Sequence, residues 1–249
     1  MNDLKRLPLA ALFCGLLASS AAIAAPAAKY KTSLPPPVEL SYAIKAKQKG
    51  IPLEGESLMR WSIEGGKFSA TNEARAPLFG KILDTRSEGE VDAYGLAPSS
   101  FTEKRFRKEA ATTTFDRAAG TIRFANAEQT TPIRGGEQDR NSVIWELVSV
   151  ARGAQAKFKP GTSWEFVVAG VRDAEPWTFK VVAQEKLRTP LGEVNSLHVT
   201  RAPMADSNDH HIEIWLAPSM EWYPVRVRYS EDDGDYIEQT LRAISRKTP

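Results

Sequence analysis

The chain has 249 residues, 42% hydrophobic and 26% charged, with 33 Lys and Arg against 31 Asp and Glu for a net charge of +2. This is a globular composition that excludes a disordered or fibrous chain. The scattered basic residues give no electrostatic footprint for nucleic acid. A single cysteine excludes a disulfide framework and any Cys-rich metal or iron–sulfur site, so a packed core must supply the stability.

The N-terminus has Lys5 and Arg6, an apolar stretch from Leu7 to Leu17, and small residues ending in Ala22-Ile23-Ala24. That order predicts a secretory signal peptide over residues 1–24. The apolar core is shorter than the ~20 residues that span a bilayer, and Ser19 and Ser20 interrupt its end, so no transmembrane segment is expected in the mature chain. Bulky Phe13 argues against lipid modification of Cys14, and cleavage removes that cysteine. A thiol-free mature chain suits an oxidising compartment, and a bacterial periplasm is expected. Residues 25–37 are small and Pro-rich, ending in Leu34-Pro35-Pro36-Pro37, which predicts a flexible lead-in. A single β-rich domain is expected over 38–246.

Period-two alternation dominates that domain. Val38, Leu40, Tyr42, Ile44 and Ala46 share one parity, with Glu39, Ser41, Lys45 and Lys47 on the other, which predicts a half-buried strand. The pattern returns at Met59-Trp61-Ile63, Ile122-Phe124, Phe179-Val181-Ala183, Ile212-Ile214-Leu216 and Val225-Val227-Tyr229. Gly65-Gly66, Asp116 to Gly120, Thr189 to Gly192 and Asp233-Gly234 supply the turns. About a dozen strands result by this procedure. Val143, Ile144, Leu147, Val148 and Ala151 instead follow helical spacing, with Asp139 or Ser142 able to cap the start and Arg152-Gly153 ending the run. This one main helix is expected to cover a mouth or face of the sheet. Tyr236 to Ile244 fits strand or helix, and its place after Asp233-Gly234 favours a strand. The predicted fold is mainly β: a large, strongly curved antiparallel sheet or half-open β-barrel with one main helix. Leu96-Ala97-Pro98-Ser99 and Leu216-Ala217-Pro218-Ser219 echo one another, but four residues are too few to mark a duplication.

No constellation points to catalysis. His198, His210 and His211 lack metal-ligand spacing, although Asp206 and Asp209 lie near the last two, and no metal or other cofactor is expected. No Gly-x-Ser-x-Gly elbow accompanies the serines. Gly135-Gly136 before the helix could offer N–H groups to an anion, but Glu137 and Asp139 would repel phosphate, so a tight turn with a helix cap is the expectation. The six tryptophans are the remaining signal. Aromatics usually serve a core, yet Trp215 lies on the parity opposite Ile212 and Ile214, so both faces of that strand carry large apolar groups.

The stretch Leu34 to Tyr42, the Gly89 to Pro98 step, the Phe115-Asp116 hairpin, Gly136 to Asp139 with Ser142, and Ile214 to Pro218 through Pro224 to Arg228 together resemble a family of exported bacterial proteins. It is known as domain of unknown function 3108, and the resemblance runs from about Leu34 to Leu241. It implies no assigned catalytic residues. A looser likeness, limited to Trp215-Leu216-Ala217-Pro218 and Pro224-Val225-Arg226-Val227-Arg228, is to the periplasmic lipoprotein carriers LolA and LolB. That likeness implies a concave apolar cavity, although this sequence shows one helix where the carriers have several. The expected function is non-catalytic binding of a lipid-like or apolar cell-envelope component, with Trp61, Phe68, Trp145 and Trp215 as ligand-binding residues. Two other classes stay open: a scaffold or assembly factor binding another envelope protein, and an enzyme acting on envelope glycans or lipids.

Overall fold

The computed structural model describes residues 28–202 and 210–246. The expected signal peptide, Cys14, Asp206 and Asp209 lie outside the described residues. The chain first runs as an antiparallel meander: β1 (Val38–Gln48), β2 (Ile51–Glu64), β3 (Lys67–Ala76), β4 (Gly80–Asp92), β5 (Gly95–Arg105), β6 (Ala111–Asp116), β7 (Thr121–Arg123) and β8 (Thr130–Pro132). A short β9 (Gln138–Asp139) then leads into helix α1 (Ser142–Gly153). A second meander follows: β10 (Ser163–Ala169), β11 (Ala174–Thr189), β12 (Gly192–Arg201), β13 (His211–Leu216), β14 (Pro224–Ser230) and β15 (Tyr236–Arg246), with a 3-10 turn at Pro218–Met220.

β15 pairs with β1, so the two meanders fuse into one curved, unclosed sheet of 15 strands with β8 and β9 at its edges. Every neighbouring pair is antiparallel except β9 with β10. The count exceeds the expected dozen partly through β8 and β9, which at three and two residues are too short to show a period of two, whereas β7 carries Ile122 of the expected Ile122-Phe124 alternation. Tyr236–Arg246 is a strand, as its place after the turn implied. The Leu-Ala-Pro-Ser echo has no structural counterpart: one copy lies inside β5, and the other leaves β13 for the 3-10 turn.

The long strands place alternate residues on the core. Val38, Leu40, Tyr42 and Ile44 of β1 are buried, beside Met59 and Trp61 of β2 and Phe68 and Ala70 of β3. Helix α1 packs on this inner face, and all ten residues from Ser142 to Ala151 are buried. A helix hidden on every side needs a second cover, which the N-terminal segment supplies. Ser33 N–H donates to Ser149 O at 2.9 Å, Trp61 Nε1 to Pro35 O at 3.0 Å, and Tyr223 Oη to Pro36 O at 3.1 Å. Gly153 permits this approach, because a Cβ there would overlap the Lys31 carbonyl and Thr32. From Tyr30 onward, therefore, the Pro-rich stretch is a strap laid over α1 rather than a free lead-in. Proline lacks an N–H but keeps a carbonyl acceptor, and Pro35 and Pro36 use theirs to bind side chains of the domain.

The strap also closes a sheet edge. The Tyr30 hydroxyl accepts from Glu165 N–H at 3.0 Å and donates to Glu165 O at 3.3 Å, covering β10 where β9 does not reach. Its ring packs edge-on against Trp164 and Phe166. Tyr30→Phe keeps the ring and removes both bonds. Urea unfolding is expected to register a loss of about 1 kcal/mol, and an unchanged midpoint would show that the hydroxyl contributes nothing.

Candidate functional site

Three of the four expected ligand-binding residues come together inside the curve. Trp145 of α1 stacks on Trp61 of β2 at 5.1 Å, Trp61 stacks on Phe68 of β3 at 5.7 Å, and Tyr223 meets Trp145 edge-on at 6.4 Å. All four side chains are buried. The indole Nε1 of Trp145 is buried without an acceptor.

Trp215 is separated from them by the sheet itself. It pairs across the strands with His198 and Arg226, on the face opposite Ile214, as its parity in the sequence required. Its ring lies flat on His198 at 4.3 Å, the Arg226 guanidinium sits 5.6 Å above it, and its Nε1 donates to Glu185 Oε2 at 2.9 Å. The His198 ring nitrogens contact Glu185 Oε1 at 3.0 Å and Glu213 Oε1 at 3.1 Å. The indole bond, with the imidazole beside it, holds the Glu185 carboxyl below the usual range.

Around the start of α1 lies a polar seam joining the two flanks of the sheet. β6 pairs with β5 only from Ser100 to Glu103, leaving the first residues of β5 without a neighbour on that side. Two side chains stand in for the missing strand. Leu96 N–H donates to Glu146 Oε2 at 2.8 Å, and Leu96 O accepts from Gln138 Nε2 at 2.7 Å. Nearby, Asp139 Oδ1 accepts the N–H groups of Asn141 and Ser142, each at 2.8 Å, while its Oδ2 takes the Ser87 hydroxyl of β4 at 2.5 Å. Ser142 Oγ accepts Asp139 N–H at 2.9 Å; Asn141 holds the N-cap position, and of the two residues expected to cap the helix it is Asp139 that accepts a first-turn N–H. Asn141 Nδ2 reaches Ala70 O on β3, and Thr113 Oγ1 of β6 reaches Gly170 O beyond β10. The flanks are thus joined by individual bonds, not by a backbone ladder.

Burial governs the charges in this seam. Removal from water pushes the Glu146 carboxyl up to about 8, with the nearby Asp92 charge adding and the Leu96 N–H opposing. It likewise raises Asp139 to about 6 against its hydrogen bonds from Ser87, Ser142 and Asn141. Glu146 Oε1 and Gln138 Oε1 are buried acceptors with no donor, and a protonated Glu146 turns one of them into a donor. The Gly135-Gly136 turn is closed by its own chain: the Glu137 carboxylate accepts the N–H groups of Arg134 and Gly135.

Sequence reasoning missed Glu146. On the helical wheel it joins Ser142 and Ser149 in one polar stripe, which reads as a solvated face. The available signal was the weakness of that stripe, with two serines, one charge and no lysine or arginine.

Among the described residues, no group of three His, Cys, Asp or Glu is placed to hold a metal ion. His210 lies beside Glu231 at 3.3 Å and His211 beside Asp232 at 3.2 Å. No described helix is long and apolar enough to cross a membrane. Two grooves mark the surface. One, of about 210 Å³, is lined by residues including Glu39, Glu56, Glu73 and Arg242. The other, of about 340 Å³, runs past Phe68, Glu88, Asp92 and Arg117.

Among solved structures, a domain from Vibrio parahaemolyticus named for outer membrane lipoprotein sorting is 7% identical, with 86% of each chain covered and a TM-score of 0.30. A protein from Parabacteroides distasonis named as a lipoprotein is 8% identical, covering 88% of this chain and 100% of its own, with a TM-score of 0.36. A DUF1329 family protein from Desulfovibrio piger is 7% identical, covering 84% and 85%, with a TM-score of 0.30. No curated protein matches the chain. The family described as Protein of unknown function (DUF3108) matches residues 39–242, and this chain belongs to it.

Proposed function

We propose that this is an exported, periplasmic, non-catalytic protein that takes a lipid-like or otherwise apolar component of the cell envelope against the inner face of its sheet. Trp61, Phe68 and Trp145 form the binding surface, and Trp215 buttresses the sheet from outside. The observation that carries the reading is how the interior is filled. Most of the sheet is one continuous ladder of long strands, whereas α1 and its strap are held across it by separate side-chain and backbone bonds. Opening α1 away from the sheet would expose an aromatic concave face and leave the ladder intact, with the lost core contacts of the buried helix to be replaced by the ligand. Each large aromatic buried against a ligand would contribute roughly 1.5–3 kcal/mol.

The surface grooves are open and carry several charged residues, unlike the mostly apolar enclosure a lipid tail requires. The edges β8 and β9, three and two residues long, offer little for strand addition by a partner. That weighs against a scaffold docked through a sheet edge. Native mass spectrometry with lipid extraction, on protein purified from the envelope of its own host, tests the proposal. A stoichiometric co-purifying apolar molecule is the expected result, and a clean apo mass from folded protein would overturn it.

A further inference from the structure

In an antiparallel meander, alternate turns fall at the same end of the sheet. The β1–β2, β3–β4 and β5–β6 turns therefore share one rim, and α1 meets β5 at the opposite end, at Leu96. All three turns of this rim carry exposed large apolar side chains. Leu78 is 90% exposed and Phe79 57%, both between β3 and β4, Phe106 after β5 is 40% exposed, and Ile51 and Leu53 on the next hairpin are exposed as well. Phe79 and Phe106 touch edge-to-face at 5.7 Å, and Phe106 N–H donates to Ile82 O at 2.9 Å, so two tips form one knob.

The charge on these three turns is one-sided, while the neighbouring β14–β15 turn at the same end is acidic and accepts Lys49 N–H through Asp235 Oδ2 at 2.6 Å. Segments 45–53, 75–81 and 104–108 contain no Asp or Glu. Lys104, Arg107 and Lys108 are exposed and, among the described residues, hold no ion pair; Arg107 instead lies over the Phe106 ring at 4.9 Å. Arg75, Lys81 and Arg105 are partly answered by Glu73, Asp84 and Glu103 lower on the strands. Glu109 flanks Lys108, and the acidic turn Glu231 to Asp235 bounds the rim beside β1.

Apolar side chains on projecting turns, ringed by unneutralised cations, match the headgroup layer of an acidic bilayer, where rings insert and ammonium groups meet phosphate. A protein partner would call for a flatter, more continuous surface than a projecting knob and a separate hairpin tip. We propose that this rim docks the protein onto an anionic phospholipid bilayer, with Leu78, Phe79 and Phe106 entering the headgroup region and Lys104, Arg107 and Lys108 meeting lipid phosphates. The proposal does not depend on what the interior binds.

Co-sedimentation of the exported chain with phosphatidylethanolamine–phosphatidylglycerol vesicles, against phosphatidylcholine vesicles, tests it. Binding is expected to the anionic vesicles, at least about tenfold tighter than to the neutral ones and weakening as salt rises. Leu78→Ser with Phe79→Ser, and separately Lys104→Glu with Arg107→Glu and Lys108→Glu, should each lose about tenfold or more with thermal unfolding unchanged. All these side chains are exposed, so folding is not at stake. Equal binding to both vesicles, anionic binding unmoved by either variant, or no vesicle binding at all would overturn the proposal. The last outcome includes a rim that captures a protein instead.

Discussion

Unfolding free energy measured in urea is expected to fall by a few kcal/mol as the pH rises from about 5 to about 8.5, with Glu146 the main cause. The folded state holds the Glu146 carboxyl up at about 8 by burial, well above the usual 4.5 that the unfolded chain restores. Between those values the native protein binds a proton that the unfolded chain has lost. The Glu146 contribution is therefore full below about pH 4.5 and declines until about pH 8, at roughly 1.4 kcal/mol per pH unit while the proton difference is near one. Asp139, raised to about 6, adds a decline of the same sign between about 4 and 6. Glu73, Asp116 and Glu185 act oppositely, since their lowered carboxyls lend stability that is lost only as the medium becomes more acid than this window.

Glu146→Gln separates the contributions, because its amide oxygen still accepts Leu96 N–H and the ionisable proton is gone. The variant should be nearly flat from about pH 6.5 to 8.5 and outlast the wild type at the alkaline end. A wild-type curve that is level or rising across that interval would sink the argument. Gly95 gives an independent check on the geometry. Its φ is +113°, and a Cβ there would overlap the Glu146 carboxylate, so Gly95→Ala should destabilise by more than the ~1 kcal/mol typical of a point substitution.

The difference between what could and could not be read from the sequence follows chain separation. Val38 to Ala46 announces β1 because a half-buried strand must alternate, and Val143 to Ala151 announces α1 because a packed helix must repeat at 3.6 residues. Both signals are local. Ser149 is covered by the strap at Ser33 and Glu146 by β5 at Leu96, both far earlier in the chain, so their polar stripe looked solvated. The opposite parity of Trp215 was legible, whereas its seat against His198 needed the β12–β13 register. The apolar tips Leu78, Phe79 and Phe106 look scattered in sequence because alternate turns, distant along the chain, gather them at one end. The Pro-rich strap illustrates the same limit: its composition describes an unfolded chain well, and only acceptors such as Pro35 O, bonded to Trp61, show where it docks.

The largest single side-chain effect is expected at Trp145. It is fully buried between Trp61 and Tyr223, and Trp145→Ala should cost about 3–5 kcal/mol, a large share of the stability of an ordinary domain. Trp145→Phe should be far milder. It retains most of the stacking area and removes an indole N–H that is buried without an acceptor, and the relief of that penalty offsets part of the lost contact. The contrast between the two variants, read as urea midpoints, separates packing from polarity at one position. Trp215→Ala serves as the comparison on the other face, where the ring spans polar neighbours and a bond to Glu185 rather than the interior. If Trp145→Ala proved no worse than Trp215→Ala, α1 would not be anchoring the fold through its indole. The aromatic stack would then be free to rearrange around a bound molecule at little cost to the sheet.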